Sequence, residues 1–367
     1  RPNSEVFQSI RSPSARLASS MNNLNLSDLP ALPSYSSPTA TRRAFGNALV
    51  RLGKVDPAMI VLDADVQNST YTEFFAKEFP ERFFQMYIAE QTMVGVALGL
   101  SKQGFNPYIA TFACFLTRAF DQVRMAALSQ ADIKICGSHA GVSIGQDGGS
   151  QMGLEDLAMF RAVHGSTVLY PSDAISTEKL VEQMAREKGI VYIRTTRGET
   201  PVVYDAKEKF PIGGSKVHYS SSEGALATES RSQQKGSRLR SNNKEIATIV
   251  AAGITLHEAL KAQKLLAEEG IGVRVIDCYS VKPIDEKTLR KAARESKAII
   301  IVEDHYPEGG LGEAVKSALS TPDTGNQHIK ICHLAVRKTP RSAKPAELLA
   351  YEKIDAVAIV KAVRSLC

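Results

Sequence analysis

Glu90 lies in the run MYIAEQTMVGVALG, where its neighbours Ile88, Ala89, Met93, Val94 and Val96 are all apolar. A carboxylate turned into such surroundings is desolvated and can share a proton with a ring nitrogen. The other reading is a helix cap, since a negative charge at a helix N-terminus gains about 0.3–1 kcal/mol. Three further stretches carry usable groups: LDADVQNST with Asp63, Asp65 and Ser69, TFACFLTR with Phe112, Phe115 and Arg118, and SHAGVSIGQDGGSQMG with His139, Asp147 and Gln151. Arg42 and Arg197 add guanidinium forks, whose geometry matches phosphate bidentately. Each group also has a plain structural reading: the two Phe as core, Asp65 as a cap, His139 as a satisfied loop histidine, the arginines as surface ion-pair partners. Taken together they describe a buried acid, an apolar shelf, a His and an Asp for hydroxyl chemistry, and a phosphate clamp. Such a pocket suits a sugar phosphate handled by a ring cofactor.

The elements that must position these groups follow from periodicity. Strands are predicted at Met59–Leu62, Phe83–Ile88, Pro107–Phe112, Asp132–Gly137, Ser166–Tyr170 and Ile190–Thr195, and each cluster falls at or just beyond a strand's C-terminal end. Between them, helices are predicted over 40–54, 67–80, Thr92–Leu100, Thr117–Leu128, Leu154–Val163 and Ala174–Lys188. This alternation predicts a mostly parallel sheet covered on both faces, with ligands at the C-terminal strand ends. A second run repeats it, with strands at Ile246–Ala251, Val273–Asp277, Ala298–Val302 and Ile329–Leu334. Its helices are predicted at Thr255–Glu269, Asp285–Glu295, Gly312–Leu319 and Asp355–Ser365. The predicted fold class is therefore α/β, two doubly wound, mostly parallel-sheet domains over 40–214 and 244–367. Residues 1–39, rich in Ser, Asn and Pro, read as a linker or arm, and 215–243 as a flexible Ser-rich insertion. Neither domain carries a GxGxxG after a strand or a GxxxxGK[ST], the fingerprints of nucleotide folds.

Composition narrows the function. A chain of 367 residues fits two domains. The net charge is +6, but between Lys216 and Lys244 six cations face only two acids, so most of the excess sits on the Ser-rich stretch and nucleic-acid binding is not expected. Five scattered cysteines without a CxxC predict a reduced, cytoplasmic protein. No apolar run has membrane-spanning length and no signal-peptide order opens the chain. The chain starts at Arg1 rather than Met, which fits a fragment.

The stretches ATRRAFGNAL, LDADVQNST, YIAEQTMVGVALG, TFACFLTRAFDQVRMAALS, CGSHAGVSIGQDGGSQMGLEDLAMFR, YPSDAISTEKLVE, IRTTR, GITLHEAL, VEDHYPEGGLGEAV and LAVRKTPRSAKPAELL carry a resemblance. In that order they resemble transketolases of the animal type, over the pyrimidine-binding and C-terminal domains. The resemblance implies thiamine diphosphate as cofactor and transfer of a two-carbon ketol unit between sugar phosphates in the pentose phosphate pathway. Glu90 matches the acid that bonds the pyrimidine N1′, Phe115 the aromatic stacked on that ring with Phe112 beside it, and Gln151 and Asp65 residues near the cofactor. His139 and Asp147 match groups that bond sugar hydroxyls, His139 with a catalytic part as well. Arg42, Ser69 and Arg197 match the phosphate clamp. The domain carrying the diphosphate site and the Mg²⁺ ligands is expected outside this sequence, so no metal site is expected within it. The working partner would be a homodimer mate or a separate diphosphate-binding chain.

Two departures stand out. The family's GEDGP is here Gly145, Gln146, Asp147, Gly148, Gly149, which removes a charge and predicts a freer loop, and the Ser-rich insertion is longer than expected. Rival readings are a β-type subunit of a 2-oxo acid dehydrogenase, which has the same two domains, and a non-catalytic dimerisation module derived from transketolase.

Overall fold

The computed structural model describes residues 26–220, 227–228, 246–320 and 329–366. A short strand at Thr39–Ala40 (β1) is followed by Met59–Asp63 (β2), Phe83–Gln85 (β3), Asn106–Phe112 (β4), Ile133–Ser138 (β5), Thr167–Leu169 (β6) and Ile190–Arg194 (β7). Then come Glu199–Thr200 (β8), Lys216–Tyr219 (β9), Ala227–Thr228 (β10), Ala247–Ala251 (β11), Val273–Asp277 (β12), Ser280–Lys282 (β13), Ala298–Val302 (β14) and Lys330–Leu334 (β15). Strands β2, β5, β7, β11, β12 and β14 are buried at every residue, polar ones such as Lys134 and Arg274 included, as strands covered on both faces must be.

The first sheet has the order β13-β6-β7-β5-β4-β2-β3, parallel throughout except for β13. The second has the order β10-β9-β12-β11-β14-β15, with β11, β12, β14 and β15 parallel and β9 and β10 antiparallel. Strand pleating divides the core into two layers: Met59 and Val61 of β2 join one apolar cluster, and Ile60 and Leu62 the other. Both clusters continue into the second sheet, through Ile249 and Val275 in one and Val250 and Ile276 in the other. The strand β13 belongs by sequence to the second run, yet it completes the first sheet beside β6. Lys282 on β13 donates to Arg161 O and Val163 O, at 2.9 and 2.7 Å, capping the carbonyl end of the helix Asp156–Ala162.

Several expectations are corrected. The predicted helix 67–80 is two, Gln67–Thr70 and Glu73–Glu78, because Tyr71 turns left-handed (φ 61°). The break has a cause: Thr70 and Thr72 both donate to the buried carboxylate of Asp63, at 2.7 and 2.9 Å. The strand predicted to reach Ile88 ends at Gln85, and Ile88 with Tyr87 is exposed, so Ile88 does not desolvate Glu90 as expected. The predicted insertion lies outside the described residues except at 215–220 and 227–228. There Lys216–Tyr219 is a strand, and Lys216 is buried and paired with Glu208 at 2.6 Å. Of the predicted arm, 1–25 lies outside the described residues. The rest is strapped down: Leu29, Leu32 and Tyr35 pack on the core, Tyr35 donates to Glu178 at 2.6 Å, and Arg51 donates to Pro30 O at 3.0 Å.

Candidate active site

In the first sheet the chain passes from β2 to β3 on one side, then crosses to β4 on the other side of β2. That reversal opens a crevice at the C-terminal strand ends, the usual ligand position of a doubly wound sheet. The loops after β2, β3, β4, β5 and β7 all end there, carrying Ser69, Glu90, Phe115, His139 and Arg197 respectively.

Glu90 is the first residue of the helix Glu90–Lys102 and is only 3% exposed. Met93, Val94 and Ala97 of that helix are buried in the core, which fixes the rotation that turns Glu90 inward. Its Oε2 accepts no hydrogen bond, and the nearest cation is the largely exposed Arg118, with Nη1 at 3.6 Å. Glu90 starts a helix, as the cap reading requires, but no amide in the helix satisfies this oxygen. A buried acceptor without a donor costs about 1–3 kcal/mol, so the position fits a ligand that brings one.

Arg118 belongs to the turn Phe115–Ala119, and that turn opens on a stack of rings. Phe112 is sandwiched between Phe115, with centroids 5.2 Å apart and planes at 10°, and His139, at 3.8 Å and 15°. His139 is held left-handed (φ 55°), and its Nδ1 lies 3.0 Å from Ser138 Oγ. Burial, with Arg42 and Arg197 adding, pushes its imidazole down to about 3, so the ring is neutral at physiological pH. Both arginines thus act on this histidine through their charge.

Each arginine is fixed along part of its edge. Arg42 donates to Ser69 O at 2.7 Å and to Arg197 O at 3.1 Å, while Arg197 Nη1 donates to Ile144 O and Asp147 Oδ1, both at 2.9 Å. Thr41 and Thr196, whose hydroxyls lie 3.2 Å apart, hold the two arginine-bearing segments together. The Ser69 hydroxyl bonds to no described residue, so it is available beside them. Gln151 is half-buried on a short turn, Gly149–Gln151, brought back toward His139 by the Ala140–Gly153 bridge. Asp65 is not drawn into the cluster: it is exposed, left-handed (φ 65°), and tied by its own amide to Gln85 at 2.9 Å. Asp63 is a structural pin for the loop after β2 and offers nothing to a ligand.

Sequence reasoning missed what holds the histidine loop. Arg194, at the end of β7, is completely buried and pairs with Asp156 at 2.8 Å and with Asp304, from the end of the second sheet's β14, at 2.7 Å. It also donates to Gly153 O at 2.9 Å, and Tyr170 donates to Asp304 at 3.0 Å. Gly141, two residues past His139, lies so close to Asp304 that any side chain there would overlap its Oδ2. The only sequence signals were the charged residues in IRTTR, LEDL and VEDHY, which say nothing of mutual contact.

The arrangement is tested against thiamine diphosphate by the donors and surfaces it leaves. A buried carboxylate oxygen that accepts no hydrogen bond, at the same end of the sheet as a flat aromatic stack, fits a protonatable ring nitrogen on a stacked pyrimidine, so the residues present fit that group. For Mg²⁺ no cluster of three or more His, Cys, Asp or Glu is placed to hold a metal among the described residues.

Fold and site together define a doubly wound α/β protein whose switch point carries a buried acid and a stack of aromatic rings. Comparison with known proteins makes this specific. The family model for the transketolase pyrimidine-binding domain matches residues 37–202, and that for the transketolase C-terminal domain matches 235–359. The transketolase of Homo sapiens is 49% identical over 342 residues, 92% of this chain and 51% of that protein. Transketolase-like protein 1 of Bos taurus is 47% identical over 349 residues, 94% of this chain and 54% of that protein. Among solved structures, a split-gene transketolase described as an inactive beta4 tetramer aligns with TM-score 0.75 and 37% identity, covering 90% of this chain and 98% of that one. The chain belongs to the transketolase family, a family of thiamine-diphosphate enzymes, and spans about half the length of the curated relatives it matches.

Proposed function

We propose that this chain is the pyrimidine-side half of a transketolase. Completed by a diphosphate-binding domain, it moves a two-carbon ketol unit from a ketose phosphate to an aldose phosphate in the pentose phosphate pathway. The observation that carries this reading is the buried Glu90 carboxylate at the sheet's switch point, whose Oε2 accepts no hydrogen bond and has only Arg118, from the turn that opens on the Phe112–Phe115 stack, as a cation at 3.6 Å. When bound, thiamine diphosphate would supply the carbon nucleophile that takes up the two-carbon unit.

Glu90 would hold a proton at the pyrimidine N1′, and Phe115 and Phe112 would offer the ring its shelf. Gln151 and Asp65 would lie near the cofactor. Neutral His139 can donate or accept at a sugar hydroxyl without placing a charge beside the reacting carbon. Asp147 would bond a second hydroxyl. Arg42 and Arg197, with partial edges already tied to carbonyls, keep donors for the phosphate, joined by the Ser69 hydroxyl, and their fixed positions lower the entropy lost on binding.

Mg²⁺ and its ligands are placed with the diphosphate, on the partner domain, in a cytoplasmic enzyme. Two observations support a partner. The split-gene transketolase matches this chain over nearly its full length, and Tyr87 and Ile88, both 69% exposed, form an apolar rim next to Glu90. No described helix is long and apolar enough to cross a membrane.

The test mixes the chain with the diphosphate-binding half of a transketolase, thiamine diphosphate and Mg²⁺, and follows ketol transfer from xylulose 5-phosphate to ribose 5-phosphate. Transfer that requires both halves is expected. A complex that forms but transfers nothing, or that decarboxylates a 2-oxo acid onto a lipoyl acceptor instead, would overturn the reading.

A further inference from the structure

We propose that residues 340–345, in the second sheet's half of the chain, position the phosphate end of the substrate pocket by acting as the wall behind the Asp147 loop. This rests on the reading of Arg42 and Arg197 as the phosphate clamp, and extends it to a part of the chain that touches no substrate.

Three glycines of the GQDGG run lie against this wall. A Cβ on Gly145 would come within 3.1 Å of Pro345 Cδ and 3.2 Å of Ala343 O. One on Gly148 would come within 2.5 Å of Ser342 Oγ, and one on Gly149 within 3.2 Å of Pro340 Cβ. These approaches are tighter than most real Cβ contacts, so a side chain at any of the three would press on the wall. Gly145 and Gly148 add a backbone reason, with φ of 84° and 83°. The glycines allow the loop to lie close against this wall.

Asp147 lies between these contacts. Its Oδ1 and the carbonyl of Ile144, both in the same turn, fix Arg197 Nη1 at 2.9 Å each, and Arg197 O in turn accepts from Arg42 Nε at 3.1 Å. A displacement of the turn therefore reaches both arginines. The wall can resist displacement because it is anchored at each end. Before it, Arg337 N and Lys338 N donate to Glu352 Oε2 at 2.9 and 3.0 Å, and Val336 N donates to His305 O at 3.0 Å. After it, the helix Pro345–Glu352 packs on the turn Val142–Asp147 and buries Leu348 and Leu349 in the core. Glu90 and Phe115 follow other strands, β3 and β4, so they do not depend on this wall.

The consequence is selective. Loosening the wall should weaken phosphorylated substrates and spare substrates that lack a phosphate. The test is the double variant Pro340→Gly with Pro345→Gly, assembled with a diphosphate-binding half, comparing a phosphorylated ketose donor with a phosphate-free ketol donor. Expected is a rise in KM for the phosphorylated donor of about tenfold, below the roughly hundredfold that a full 1 Å misplacement can cost, with kcat unchanged and the phosphate-free donor altered by less than about twofold. In parallel, inorganic phosphate is titrated into the isolated chain while the arginine side-chain resonances are followed. Weaker phosphate binding in the variant is expected, and Arg197→Ala identifies the affected signal. Equal losses on both donors, or unchanged phosphate binding, would overturn the proposal. Weaker phosphate binding in a chain whose wild-type assembly transfers no ketol unit would support the wall and count against the enzymatic reading instead.

Discussion

The neutral state of His139 makes a prediction that can be worked through in numbers. Its ring is buried against Phe112, near two guanidinium groups, and its pKa falls from 6.5 to about 3. A base whose folded value lies below its unfolded value binds fewer protons when folded. Its contribution is therefore fully present above pH 6.5 and is lost as the pH falls toward 3. Between pH 7 and 4.5 the unfolded state gains about three-quarters of a proton at this residue and the folded state almost none, which integrates to a loss of about 2.5 kcal/mol. Urea unfolding of wild type and His139→Asn at both pH values reads this directly. Other buried histidines, among them His218, pushed down to about 4 by burial, act equally in both proteins and cancel. Expected is an acid destabilisation smaller in the variant by about 2.5 kcal/mol, with no imidazole titration of His139 above pH 5 in the wild type. A ring that titrates near 6.5, or equal acid losses in the two proteins, would refute the reasoning.

Arg194→Met should destabilise the chain by about 3–5 kcal/mol, because it leaves the buried Asp156 and Asp304 without their cation; a loss below about 1 kcal/mol in urea unfolding would show the triad to be dispensable. Gly141→Ala should be destabilising as well, since its φ of 79° disfavours a side chain and the added methyl would strike Asp304; a melting temperature equal to wild type would contradict the close approach. Arg197→Ala should raise KM for phosphorylated substrates while cofactor affinity, measured by calorimetry on the assembled enzyme, stays constant; an equal fall in cofactor affinity would count against the clamp.

How much of this was legible in the sequence depended on whether the signal was local. The strands of the first sheet's parallel part stand close to where periodicity put them, because buried parallel strands are written as unbroken apolar runs, such as MIVLD and IVYIR. Glu90 could be placed at a strand-to-helix turn for the same reason. The break at Tyr71 was not legible, since QNSTYTEFFAKEF reads as helix until Asp63 is known to pull Thr70 and Thr72 inward. Nor was β13, whose three residues join a sheet formed more than eighty residues earlier. The Arg194 triad unites residues from three distant segments, and no spacing rule connects Asp156 to Asp304. The exposure of Asp65 was not legible either, because a carboxylate in a loop beside a site looks the same in sequence whether it faces the pocket or the solvent.

The most direct test of the role given to Glu90 is the exchange of the thiazolium C2 proton of thiamine diphosphate, followed by NMR after acid quench in the assembled enzyme. Wild type and Glu90→Gln are compared at saturating cofactor, so that binding does not enter. The glutamine should slow exchange by about a hundredfold or more, the range that a positioned proton-handling group supplies. Exchange as fast in the glutamine protein as in wild type would contradict the assignment of the buried carboxylate to the cofactor ring.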